Sequence, residues 1–157
     1  MKNINIRFVP LILAALVMLT FTGCDDLFND GEVTYDGPSK VEFKPESNTL
    51  TLSPDSSTTV PVLVQLIGEQ RNEDLTVSFT VNEGSTAEEG THYNLPSSSS
   101  VTIPAESSSA EIIIDAMGDS GLDPGDTVQL MLELQGTDQV EAAEELKDYT
   151  LTIQGGN

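Results

Sequence analysis

A single all-β domain, built as an antiparallel sandwich, is predicted by three features of the sequence. Short runs carry apolar residues at every second position, turn-forming clusters separate them at sandwich-like spacing, and no long amphipathic helical pattern occurs. The 157 residues allow one ordinary core once a targeting segment at the N-terminus is set aside.

Residues 1–23 read as a signal peptide. Lys2 and Arg7 supply positive charge, Val9 to Leu19 form an apolar run, and Thr20-Phe21-Thr22-Gly23 make a cleavage region before Cys24. The apolar run is shorter than the roughly 20 residues of a membrane-crossing helix. Gly23-Cys24 resembles the lipobox of bacterial lipoproteins, with Phe21 where leucine is usual. That resemblance implies that Cys24 is acylated and holds the protein to a membrane through its acyl chains, each buried methylene adding about 0.8 kcal/mol. The alternative is a cleaved secretory signal that leaves a free thiol, a redox liability in an exported protein. Cys24 is the only cysteine, so no disulfide within the chain supports the core.

Residues 24–39 are rich in acids and turn formers and read as a linker, which fully extended spans about 50 Å. Tyr35 or Phe28 has the bulk to dock on the domain. Asp25-Asp26 resembles the acidic signal that sends lipoproteins of the Bacteroidota to the outer cell surface. In enteric bacteria an acid at Asp25 resembles a signal for inner-membrane retention, which leaves the periplasmic side as the other location.

From residue 40 to 157 the chain alternates strand and turn. Val41-Glu42-Phe43 and Leu50-Thr51-Leu52 are brief candidates, followed by Val60 to Leu66 with every second residue apolar. Pro61 has no N–H to donate, which predicts an edge or a bulge there. Leu75 to Val81 places four apolar residues on one face and three hydroxyls on the other. Ser100 to Ile103, Ala110 to Ala116, Thr127 to Leu134 and Tyr149 to Ile153 complete the set. Between the last two, Gln139 to Leu146 has the composition of a two-turn helix or of a plain acidic loop. Seven to eight short strands predict a sandwich of immunoglobulin-like type.

The chain carries 26 acidic and 6 basic residues, a net charge of −20, and loss of residues 1–23 removes two cations and no acid. This charge excludes nucleic acid and makes an anionic membrane surface a poor partner for the domain. Three readings of the acidity stand: adaptation to a saline habitat, calcium binding, or ordinary solvation of the surface.

Catalytic material is sparse. His92 is the only imidazole, no Gly-x-Ser-x-Gly elbow occurs, and a histidine-rich zinc site is excluded by count. His92 itself reads as a turn or packing residue. Paired carboxylates remain as a route to glycoside hydrolysis, but so many acids make chance pairs inevitable. There is no tryptophan to stack on a sugar ring.

The segment from Asn82 to Tyr93, with its Gly84-Ser85-Thr86-Ala87, Gly90 and His92-Tyr93, is followed by the strand Ser100 to Ile103 ending in Pro104-Ala105. Glu111 to Ala116 comes next, and then the acidic loop Gly118-Asp119-Ser120-Gly121-Leu122-Asp123-Pro124-Gly125-Asp126. In order and spacing this resembles the Calx-beta domain, a calcium-associated immunoglobulin-like sandwich, over roughly Val41 to Ile153. The resemblance implies calcium as a cofactor, with Glu83, Asp119, Asp123 and Asp126 as its oxygen ligands. The chain departs from the family pattern at Gly118, where another acid is frequent, at His92, which replaces an aspartate, and at Gln154 to Asn157, which lacks the closing acids. The expected protein is therefore a lipid-anchored envelope lipoprotein, a non-catalytic module for binding, adhesion or assembly. Its partner would be an envelope protein or a polysaccharide. The alternatives are a carboxylate-dependent hydrolase and a purely structural spacer.

Overall fold

The computed structural model describes residues 35–157. The signal peptide, Cys24 and Asp25-Asp26 lie outside the described residues.

Among the described residues, ten strands form two five-stranded sheets: β1 (Lys40–Lys44), β2 (Ser47–Leu52), β3 (Ser57–Ile67), β4 (Leu75–Val81), β5 (Tyr93–Asn94), β6 (Ser100–Ile103), β7 (Ser109–Met117), β8 (Thr127–Gln135), β9 (Glu141–Ala142) and β10 (Asp148–Gly155). The first sheet runs β5-β7-β3-β1-β9 and the second β2-β10-β8-β4-β6. The all-β sandwich of the sequence reading holds. Two of its strands, β5 and β9, are two-residue pairings too short to leave a periodic trace. Two pairings, β1 with β9 and β10 with β2, are parallel rather than antiparallel.

The alternation that marked each strand sorts its residues between core and surface. Val60, Val62, Val64 and Leu66 of β3 and Ile112 and Ile114 of β7 face Val77, Phe79, Leu130, Leu132, Leu151 and Ile153 of the other sheet, all buried. Each such side chain contributes about 1.5–3 kcal/mol by leaving water. Phe43 and Tyr149 join the two layers, their rings 5.5 Å apart and tilted by 45°.

Pro61 lies in β3, the central strand of its sheet, and pairs with Ile113 of β7. The other flank of β3 is covered by β1 only from Leu63 onward, because β1 ends at Lys44 and the chain passes to the second sheet as β2. Pro61 thus sits on a local edge of a central strand, where a missing donor costs no ladder bond.

Gln139 to Leu146 forms no helix: apart from the two-residue strand β9 it is a loop, the second of the two forms its composition allowed, and it is tied down rather than open. Its backbone groups bond to β1: Ala143 N–H donates to Val41 O at 2.9 Å and Phe43 N–H to Leu146 O at 2.9 Å. Val140 and Ala143 are buried by that docking. An i to i−4 ladder would withdraw those groups from β1 and lift Val140 out of the core.

Candidate functional site

Two loops meet at one pole of the sandwich: residues 82–92, from β4 to β5, and residues 118–126, from β7 to β8. His92 ends the first loop with its side chain 10% exposed, and its Nε2 lies 3.6 Å from Asp119 Oδ2 on the second. On its other side His92 Nδ1 accepts the Glu88 N–H at 2.9 Å. His92 N–H donates to Glu88 O at 2.9 Å, so the residue closes a turn with backbone and ring together. The sequence reading of His92 as a turn and packing residue is borne out.

The backbone holds the same pole. Gly118 N–H donates to Ser56 O at 2.8 Å, and a Cβ at Gly118 would lie 2.1 Å from Ser53 O, so only glycine permits this approach. The 118–126 loop rests on the end of β10, where Gly125 N–H donates to Gly155 O at 3.0 Å and Gly155 N–H to Asp126 O at 2.9 Å. Beside these loops an open depression of about 460 Å³ is lined by Asp55 to Ser57, Gly90, Thr91 and Met117 to Ser120.

A second feature is the outer face of the second sheet. Thr49 of β2, Thr152 of β10 and Gln129 of β8 are successive register partners across it. Thr76 pairs with Thr102, and Thr51 with Gln154. Their side chains bond across strands: Thr76 to Thr102 at 3.0 Å, Thr51 to Gln154 at 3.3 Å, Gln135 to Thr80 at 3.3 Å and Gln129 to Thr152 at 3.4 Å. The acids on these outward positions are Glu133, which is paired with Lys147, and Asp148. Hydrogen bonding to Glu133 holds the Lys147 ammonium above its usual range. A chain with a net charge of −20 thus presents one nearly uncharged face of hydroxyls and amides.

No family model and no curated protein matches the chain. Solved structures do match in fold. The apo form of the Calx CBD1 domain superposes with a TM-score of 0.59 at 16% identity, over 77% of this chain and 100% of that one. The calcium binding domain CBD12 of CALX1.1 gives 0.56 at 15% identity, over 74% and 44%. A Bacteroides ovatus protein provisionally described as carbohydrate-binding gives 0.59 at 15% identity, over 75% of this chain. This chain spans 37% of the length of that protein. The chain shares with these structures a two-sheet β-sandwich fold.

The Calx-beta likeness makes calcium the group to test against the donors present. Among the described residues, no three of the side chains of His, Cys, Asp and Glu come together as a metal site would require. Glu83 is exposed in the turn after β4, where Asn82 Oδ1 accepts the Gly84 N–H at 2.9 Å. Asp123 and Asp126 are exposed as well, and Asp126 N–H donates to Asp123 O at 2.9 Å. Asp119 alone of the four points at a partner, and that partner is an imidazole. Among the described residues the four acids that the resemblance implied as calcium ligands are not gathered at one point: Glu83, Asp123 and Asp126 turn to solvent, and Asp119 faces His92. What the sequence reading missed is the contact of His92 with Asp119, which joins residues 27 positions apart and leaves no local trace.

Proposed function

We propose that the protein is a non-catalytic binding module of the cell envelope, held to the outer membrane at the cell surface through acyl chains on Cys24. In this reading it offers the outer face of its second sheet to a neutral glycan. The observation that carries the ligand class is the uncharged array of threonine and glutamine side chains in an otherwise acidic chain. Hydroxyls and amides both donate and accept, as sugar hydroxyls do, and a charged glycan would gain nothing from this face. Threonine also loses little side-chain freedom on binding, since its β-branch already restricts it. A protein partner is disfavoured, because a stable protein interface needs an apolar centre and among the described residues the face offers only Met131. The fold shared with the Bacteroides ovatus protein supports the same ligand class. With no tryptophan in the chain, each contact is weak, and an affinity near about 1 mM, some 4 kcal/mol, is the expected scale.

Titrating the full chain with neutral oligosaccharides should shift the amide resonances of β2, β8 and β10, and Thr152→Glu with Gln129→Glu should abolish the shifts while leaving the melting temperature within a few degrees. Shifts confined to the loops, or binding untouched by the two charges, would reject the face. Mass spectrometry of the membrane fraction should find the acylated Cys24 at the N-terminus, and Cys24→Ser should release the protein. Protease treatment of intact cells should degrade it, and full protection would place it on the periplasmic side.

A hydrolytic role needs a cleft in which carboxylates converge on a substrate. Three depressions among the described residues are open rather than cleft-like, and each carries a pair of acids: Asp55 and Asp119, Glu144 and Glu145, and Asp138 and Glu141. The spacer reading is separated from the binding one by the same titration.

A further inference from the structure

The Calx-beta likeness leads one to expect a cation between the loops at the His92 pole, and the donors found there do not fit one. We propose that the imidazole of His92 closes this pole in place of a cation, so that the domain keeps its fold and stability with no divalent ion. A nitrogen that accepts an N–H turns its lone pair toward that donor. His92 Nδ1 accepts the Glu88 N–H at 2.9 Å, so in the neutral ring the proton sits on Nε2. Nε2 faces Asp119 Oδ2 at 3.6 Å, a charge–dipole contact longer than a direct hydrogen bond. The ring therefore offers the Asp119 carboxylate the positive end of an N–H bond, the polarity that a bridging cation would supply.

The same tautomer bars His92 from becoming a ligand. Coordination needs the Nε2 lone pair, and moving the proton to Nδ1 would set two N–H groups against each other across 2.9 Å. The remaining joins at the pole are neutral backbone bonds. Met117 N–H donates to His92 O at 2.8 Å, Asp55 N–H to Gly118 O at 3.2 Å, and the 118–126 loop is held to Gly155 in both directions. None of these bonds uses a carboxylate, so none of them needs an ion to form.

The full chain decides the matter in three measurements. In buffer held at one high sodium chloride concentration, where general screening is already complete, its melting temperature should be the same in excess EDTA and in millimolar calcium, and a rise of several degrees with calcium would overturn the proposal. The imidazole nitrogen resonances should report the Nε2–H tautomer, and the Nδ1–H form would overturn it. His92→Ala and Asp119→Ala should each lower the melting temperature by a few degrees, with the double variant falling no further than the worse single one. Full additivity would mean that the two side chains act separately, against the proposal. If His92→Ala fails to fold, the tautomer and the EDTA comparison on the unaltered chain still decide. Glycan binding on the second sheet is read by other resonances and stands or falls apart from these outcomes.

Discussion

Tyr149 is fully buried, and its hydroxyl lies near the Asn48 side chain without forming a well-aligned hydrogen bond to it or to any other described residue. An unsatisfied hydroxyl in the core costs roughly 1–3 kcal/mol. Tyr149→Phe should therefore stabilise the domain by about 1 kcal/mol in urea unfolding. Burial also pushes the Tyr149 phenol above its ordinary value of 10.0, with the nearby Asn48 side chain opposing in part. Burial, and then the Glu89 carboxylate, moves Tyr93 the same way. As the pH passes 10, the unfolded chain releases these protons while the folded chain retains them, so stability is whole below that pH and falls above it. Alkaline unfolding should begin near pH 10 and be shallower in Tyr149→Phe. Gly155 makes the opposite kind of prediction. A Cβ there would meet Asp123 O at 2.4 Å and Leu122 O at 2.7 Å, both backbone atoms that cannot step aside. Gly155→Ala should cost about 2 kcal/mol or more and free the 118–126 loop, visible as faster amide exchange at Gly125.

At the scale of the element, β7 shows what a sequence can and cannot declare. Ile112, Ile113 and Ile114 are chemically alike, yet Ile112 and Ile114 are buried and Ile113 is 41% exposed. Ile114→Ala should cost about 2–5 kcal/mol and Ile113→Ala no more than about 0.5, as denaturant midpoints would show. Alternation is local, so eight of the strands were legible from residue type alone. Pairing is not local. That β10 lies between β2 and β8, parallel to one and antiparallel to the other, depends on partners about a hundred residues apart in one case. The segment from Gln139 to Leu146 stayed open between helix and loop for the same reason, since composition alone does not show that β1 offers its backbone a set of partners. The candidate site was legible only as a list of acids, because their separation in space is set by backbone bonds to glycines that carry no chemical signature.

For the whole molecule the ruling fact is charge. A net −20 on this chain favours expansion at low ionic strength, where repulsion reaches about 30 Å at 0.01 M salt and only about 3 Å at 1 M. The melting temperature should rise with sodium chloride, and an unchanged value would remove the saline-habitat reading. The same screening bears on β2, which among the described residues is paired on one side only, by β10, and contains no charged residue from Ser47 to Leu52. An open strand flank is a template for another strand, and proteins commonly guard it with lysine or proline. Here the guards stand just outside the strand, at Pro45 and Pro54, and the rest of the deterrent is long-range repulsion. Concentrated brine should silence that deterrent, so the preparation that is hardest to melt should also be the quickest to form aggregates, as light scattering against salt would record, and a lysine in place of Thr49 should slow that growth.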